Sequence, residues 1–375
     1  MNILILTPWY PDEKLPHHGK FIRDLAAVQS KKNKVVIISC KIDYAHFGLS
    51  SVRILKSTFG AIQEHRLLIK KSLPFFNQIH YFLSAFMYTL KIARTFRPDI
   101  IHGHIGYAGG VWSCLVSKKL KIPFVLTEHT RLSNNFRSFW HKRLTLWALR
   151  GASRIITVGS GLSKEIANYI NVNKISIIPN PIGDIPFEEF SQKKNQIQIG
   201  FLGGLNTPVK GLDVLLQALK KLNLDFTLHV GGAGLLLEKY QQLALSLGLE
   251  GRCHFYGFVR PEEIPQFMKR LHFFVCASRY ETFGIVLLEA LFCGTPVIAT
   301  RCGGPEDFVT EACGILCEKE NPDQLATAIQ KMTNQWVTYN PINLRNYVLD
   351  NFSPQKIADQ MDDLYRLVIL KKTIK

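Results

Sequence analysis

The chain has 375 residues, 47% hydrophobic and 20% charged, an ordinary globular composition with room for two domains. Its 46 basic and 29 acidic residues leave a net charge of +17, which points to an anionic partner: nucleic acid, an anionic membrane or a phosphorylated substrate. Eight cysteines without a C-x-x-C pair, several inside apolar runs, suit buried thiols better than a disulfide or zinc framework, and no apolar run reaches the roughly 18–20 residues of a membrane span.

In chain order, "NILILT" is a first β-strand. The run is short, lacks a basic start and meets prolines and acids at once, unlike a secretory signal, so a cytosolic protein is expected. The next loop, "PHHGKFIRDLAA", sets His17, His18 and Gly19 before a helix opened by Lys20, and the glycine could let backbone approach a diphosphate. "KVVIIS", "DIIHGH", "PFVLTE", "RIITVG" and "KISIIP" are further strands separated by amphipathic stretches, which predicts parallel pairing and right-handed crossovers. His102 and His104 close one strand and His129 follows another, at carboxyl ends where active-site loops form, although structural histidines fit there too. Two segments, Phe75 to Lys91 and Arg131 to Arg154, mix aromatic and basic side chains. They suit a membrane surface better than a base-stacking groove, unless the aromatics are simply core.

The alternation breaks at a proline-containing segment, Pro179 to Gln196, with the composition of a linker. A second series follows: "IQIGFLGG", "DFTLHVGG", "CHFYGF", "FFVCAS", "TPVIAT" and "GILC", again with helices between. Two doubly wound domains facing a cleft are expected, with ligands beyond the carboxyl ends of the strands at the turns "LGGLNTPVKG", "VGGAGLL" and "RCGGPED". Lys210 follows such a turn at a helix start, where free amides, the helix dipole and a point charge make a phosphate site; a solvated lysine is the plainer alternative. Glycines in "VGGAGLL" serve either a ligand or tight packing. Glu281 and Glu289 stand eight residues apart in an otherwise apolar run. On one continuous helix they would be separated by about 800° and about 12 Å. The Thr282-Phe283-Gly284 step instead puts Glu281 before a helix and Glu289 inside it, an arrangement able to hold two ends of one polar ligand. A structural alternative pairs one of them with Arg279 or Arg301, since an unpartnered buried carboxylate is costly.

"ASRYETFGIVLLEALFCGTPVIATRCGGPEDFV" resembles the E-x7-E signature of retaining GT-B glycosyltransferases, in particular glycosyltransferase family 4. The likeness runs through "MNILILTPWYPDEKLPHHGKFIRDLA", "DIIHGHIGYAGG", "IITVGSGLSKEI", "IIPNPI", "VKGLDVLLQAL" and "FYGFVRPEEIPQFM", in the family's order. "NFSPQKIADQMDDLYRLVI" is similar to its closing helix. The resemblance implies a GT-B fold. Residues 1–182 with a closing helix at about 354–375 would form an acceptor-side Rossmann-like domain, and residues 183–353 a nucleotide-sugar donor domain. It further implies that Glu281 contacts the donor sugar, that the backbone of Phe283, Gly284 and Ile285 lies along sugar and diphosphate, and that Glu289 holds the ribose. Lys210 would neutralise the leaving diphosphate without a metal, Gly19 would lie near that diphosphate, and His129 would sit by the transferred sugar as a catalytic residue. The family's frequent arginine six residues before the lysine is replaced by Gly204, with Arg279 one candidate to supply the missing charge.

The expected activity is therefore metal-independent retaining transfer from a nucleotide sugar to a glycan or lipid-linked acceptor, with no cofactor. The setting would be bacterial surface polysaccharide or glycolipid synthesis, on the cytoplasmic face of an anionic membrane. A non-catalytic bilobal sugar- or nucleotide-binding relative is the alternative. Nucleic-acid binding rests on charge alone and is not expected.

Overall fold

The computed structural model describes residues 1–12, 18–47, 52–71, 74–183, 185 and 196–373. His17 and most of the expected linker after Gly183 lie outside them. The chain divides into two compact units, Met1–Pro181 with Pro354–Lys375, and Ile182–Ser353.

The first unit runs β1 (Asn2–Thr7), α1 (Lys20–Gln29), β2 (Lys34–Phe47), β3 (Val52–Phe59), β4 (Ile62–Lys71), α2 (Pro74–Phe96), β5 (Ile100–His104), α3 (Val111–Leu120), β6 (Phe124–Glu128), α4 (Phe139–Gly151), β7 (Arg154–Thr157), α5 (Ser160–Ala167) and β8 (Ile175–Ile177). Its eight strands lie in the order β3-β4-β2-β1-β5-β6-β7-β8. β1 pairs in parallel with β2 through Ile5 and Ile37, and with β5 through Ile3 and Ile100. Strands covered on both faces read as continuous apolar runs, and β5 and β6 are buried at every position. The β3–β4 hairpin departs from the expected all-parallel pattern. β3 is exposed along almost its whole length, so it carries no buried face and no alternation that a sequence could reveal.

The second unit runs β9 (Ile197–Leu202), α6 (Leu212–Lys220), β10 (Phe226–Gly231), α7 (Leu237–Ser246), β11 (Cys253–Gly257), α8 (Ile264–Lys269), β12 (Phe273–Cys276), α9 (Ile285–Phe292), β13 (Val297–Arg301), β14 (Gly314–Glu318), α10 (Pro322–Gln335) and α11 (Pro341–Phe352). Its sheet, β11-β10-β9-β12-β13-β14, is parallel throughout. The chain winds from β9 to β10 on one side and reaches β12 on the other, which makes the β9/β12 boundary the topological switch point, where open α/β sheets hold ligands. Helix α6 buries Leu212, Leu215, Leu216 and Leu219 completely, at the spacing of one helical face. Each such leucine cut to alanine costs about 2–5 kcal/mol.

The last helix, α12 (Pro354–Thr373), belongs to the first unit. It buries Ile357, Ala358, Met361, Tyr365 and Val368 in the same cluster as Ile22, Leu25 and Ala26 of α1. Polar contacts fix its register: Gln29 and Asn33 donate to the two oxygens of Asp362 at 3.0 and 2.7 Å. The two domains and returning helix of a GT-B protein are thus present. No described helix is long and apolar enough to cross a membrane.

Candidate functional site

The residues singled out by sequence fall into two clusters, one on each unit.

On the second unit, the loops after β9 and β12 meet at the switch point. Gly211 allows the approach: it is left-handed at φ 68°, and a Cβ there would lie 1.9 Å from the Ala277 carbonyl oxygen. Lys210 sits on the short 3-10 turn before α6 rather than in the helix itself. Its Nζ lies 2.6 Å from Oε1 of Glu281, a residue 71 positions away in sequence. Glu281 is only 9% exposed and also accepts from Ser278 Oγ at 2.7 Å, while Thr300 Oγ1 fixes the Ser278 carbonyl at 2.5 Å. Burial is the largest single influence and works against the Lys210 charge, but the neighbouring groups together, Glu281 foremost among them, raise the ammonium pKa. The glycines of "VGGAGLL" serve packing: Cβ atoms at Gly232 and Gly234 would strike the backbone of Gly203 and Leu205.

Neither arginine expected as a glutamate partner takes that part with Glu281. Arg279 grips Asp213 with both terminal nitrogens, at 2.9 and 2.8 Å, and reaches Glu320 and the Pro208 carbonyl. Its backbone amide donates to Val209 at 2.8 Å, so Arg279 staples the Lys210 turn to the loop after β12. The Arg279 guanidinium, the candidate to supply the charge missing at Gly204, is thus engaged by two carboxylates, Asp213 and Glu320. Arg301 faces Glu318 at 3.5 Å.

Glu281 precedes α9 and Glu289 lies within it, half-buried. Gly284 makes the break at φ 101°. No side chain caps α9, which leaves first-turn amides of the kind that bind anions. The Phe283 ring packs with Phe308 and Phe352 at 5.1 and 5.8 Å, so only its backbone is left for a ligand, and Ile285 opens the helix.

On the first unit, Gly19 is left-handed at φ 75°, and a Cβ would sit 2.5 Å from the Trp9 carbonyl oxygen. His129 is 8% exposed and lies against Phe21 of α1. Its Nε2 is 2.9 Å from Nδ1 of His104, so one imidazole donates and the other accepts. The His104 ring lies 4.1 Å from that of His102, which bonds Thr127 at 2.7 Å and the Tyr365 hydroxyl of α12 at 2.5 Å. Burial holds His102 and His129 down to about 3, and holds His104 well below the ordinary imidazole value. The column is therefore neutral near pH 7. Among the described residues, His129 Nδ1 and His104 Nε2 have no hydrogen-bond partner.

Sequence reasoning missed Glu128. Its buried carboxylate accepts from the amides of Gly106, His129 and Thr130, the Thr130 hydroxyl and the Asn135 side chain, at 2.7 to 3.0 Å. Burial pushes its pKa up against those hydrogen bonds. It pins the loop that aims His129. An acid closing the apolar strand "PFVLTE" was the available signal. Among the described residues, no group of three or more His, Cys, Asp or Glu could hold a metal ion.

Comparisons with known proteins agree with this architecture. Residues 19–183 match the family described as Glycosyltransferase Family 4, and residues 184–365 the family described as Glycosyl transferases group 1. An uncharacterized glycosyltransferase of Methanocaldococcus jannaschii is 29% identical over 264 residues, 69% of this chain and 72% of its own. A phosphatidylinositol N-acetylglucosaminyltransferase polypeptide of Arabidopsis thaliana is 25% identical over 293 residues, 74% of this chain but 64% of its own length. The crystal structure of Anabaena HepE in complex with UDP-glucose has the same fold, at a TM-score of 0.70 and 20% identity over 96% of this chain and 98% of that one. Together the two family matches span residues 19–365, and the chain belongs to the GT-B glycosyltransferases of the family 4 and group 1 families.

Proposed function

We propose that this glycosyltransferase moves its sugar with retention, and without a metal ion, to a glycan or lipid-linked acceptor. The observation that carries this reading is the Lys210–Glu281 pair at the switch point, beside the uncapped start of α9. Breaking the anomeric C–O bond leaves positive charge on the sugar and sends the electron pair to the departing nucleoside diphosphate. Lys210 and the amides around Gly284 and Ile285 stabilise that diphosphate more in the transition state than in the ground state. Glu281 then trades its contact with Lys210 for hydroxyls of the donor sugar, and Glu289 holds the ribose. On the first unit, the resemblance gives His129, whose imidazole is neutral and whose buried Nδ1 is without a partner among the described residues, a place by the transferred sugar, and Gly19 a place near the diphosphate. Retention rests on the resemblance to the E-x7-E enzymes.

The protein works at the cytoplasmic face of an anionic membrane, in the synthesis of a surface polysaccharide or glycolipid. The +17 charge supports this, as basic residues near an anionic bilayer contribute about 1 kcal/mol each. That one relative is named for transfer to phosphatidylinositol is in keeping with a lipid-linked acceptor.

A screen of nucleotide sugars tests the reading, by hydrolysis and by thermal stabilisation, with Glu281→Ala and Lys210→Ala as controls. One donor is expected to raise the melting temperature and to be turned over by the wild type alone. A wild-type melting curve indifferent to every nucleotide sugar and nucleoside diphosphate sinks it.

A further inference from the structure

The first unit holds a pocket of about 760 Å³, open to solvent, that none of the roles above uses. Trp9, Phe82 and Tyr107 line it on the apolar side, and Lys41, Arg137 and His141 on the basic side. No carboxylate lies in its wall among the described residues, although Asp12 pairs with Lys41 from outside it. Tyr107 ties its rim together. Its hydroxyl bonds Gln78 of α2 at 3.1 Å, and its ring lies 4.2 Å from His141 of α4 and 5.8 Å from Phe82 of α2.

Beside this mouth, α2 inverts the usual pattern of a surface helix. Asn77, Tyr81, Ala85, Thr89 and Ala93 face inward, as the four-residue period requires. The opposite stripe should be polar, yet it reads Ile79, Leu83 and Met87, which are 50 to 59% exposed, before ending at Lys91. The first turn of α4 adds Phe139 and Trp140, both more than 60% exposed, with Arg143 over the Phe139 ring. Neither helix contains an aspartate or glutamate, whereas together they carry Lys91, Arg94, Lys142, Arg143 and Arg150. Exposed aliphatic and aromatic groups among such cations complement an anionic lipid leaflet, not water.

We propose that the pocket takes the phosphate-bearing head of an amphiphilic acceptor lying in such a leaflet, with the acceptor's hydrocarbon along the Ile79–Leu83–Met87 stripe. This rests on the transferase reading and narrows its acceptor. The phosphate faces Arg137 and Lys41, the sugar-accepting hydroxyl lies at the rim formed by Tyr107 and His141, and the lipid never leaves the surface. A free glycan gains nothing from the stripe.

The test uses the whole protein with decyl phosphate and inorganic phosphate as probes, and with vesicles of phosphatidylcholine alone or with roughly 30% phosphatidylglycerol. Decyl phosphate is expected to bind at least tenfold more tightly than inorganic phosphate. Arg137→Ala should weaken it about tenfold, the share of one charge-assisted hydrogen bond. UDP binding, measured in the same samples, should not change. Binding to the anionic vesicles should fall with salt and be lost in Leu83→Ser/Met87→Ser, and the neutral vesicles should bind little. Equal affinity for the two phosphates, or none for decyl phosphate while UDP still binds, overturns the acceptor assignment and leaves the donor reading standing. Loss of UDP binding as well condemns both. If sedimentation gives a dimer that Leu83→Ser/Met87→Ser dissociates, with vesicle binding unaltered, a second copy covers the stripe and the proposal is wrong.

Discussion

Replacing Glu281 by glutamine should tighten the binding of UDP while destroying turnover. In the unliganded protein the Lys210 ammonium is already matched by the Glu281 carboxylate at 2.6 Å. A diphosphate reaching Lys210 must therefore approach a negative charge. Two like charges about 6 Å apart repel by about 3 kcal/mol at an effective dielectric of 20. The Lys210 side chain is 31% exposed, so solvent screens part of this, and about 1 kcal/mol is the share to expect. Glutamine keeps the hydrogen bond to Lys210 and drops the charge, so affinity for UDP should rise about fivefold. UDP carries no transferable sugar and loses no contact with residue 281. Transfer should fall at least a hundredfold, the scale for losing a polar group that acts in the transition state. Weakening the ion pair should also cost about 1–2 kcal/mol, or about 2–6 °C in the melting temperature of the second unit. Calorimetric titration with UDP at two salt concentrations reads the affinity, and the gain should shrink at high salt. A Glu281→Gln protein that folds but binds UDP ten times more weakly would refute the placement of the diphosphate beside Lys210.

Three further outcomes follow from local geometry. Gly204→Arg should fold normally, because a Cβ at Gly204 meets nothing within 4 Å and its φ is not left-handed. The added cation should strengthen UDP binding by about threefold to tenfold, again salt-sensitively, and unchanged affinity would place the diphosphate elsewhere. Gly19→Ala forces a left-handed alanine against the Trp9 carbonyl, so urea titration should show a loss of about 2 kcal/mol or more, and wild-type stability would contradict the described loop. Acid should unfold the first unit early. His102 and His129 are held at about 3 and His104 lower than normal, whereas the unfolded chain binds protons at about 6.5. Their contribution is complete above pH 6.5 and is lost as pH falls toward 3. Each imidazole removes roughly 1.4 kcal/mol at pH 5.5. Urea midpoints at pH 7.5 and 5.5 should therefore differ clearly, and equal midpoints would mean that the column takes up protons in place.

Local composition made much of this molecule legible before any coordinates. β1 and the apolar starts of β5 and β6 could be recognised because strands buried on both faces leave no room for alternation. Gly284 announced the break that puts Glu281 before α9 and Glu289 inside it, since its φ of 101° suits glycine alone. Gly19 announced the first loop for the same reason. The β3–β4 hairpin stayed hidden because an exposed edge strand needs no apolar face. The partners of Arg279 stayed hidden because Asp213 and Glu320 are 66 and 41 residues away.

Two α/β series, the chemical types at their strand ends and the family likeness are legible along the chain, because these depend on neighbours a few residues apart. Which of those groups meet depends on how the strands are ordered and packed. Lys210 reaches Glu281 because β12 crosses back to lie beside β9, and Gly211 lets the two loops touch. His129 meets His104 because β5 and β6 are adjacent, and Tyr365 reaches His102 because α12 returns to α1. The apolar stripe on α2 could likewise be recognised as outward-facing only once the opposite face was seen buried. Pairing across a sheet is set by crossover order and packing, and no spacing along the chain encodes it locally.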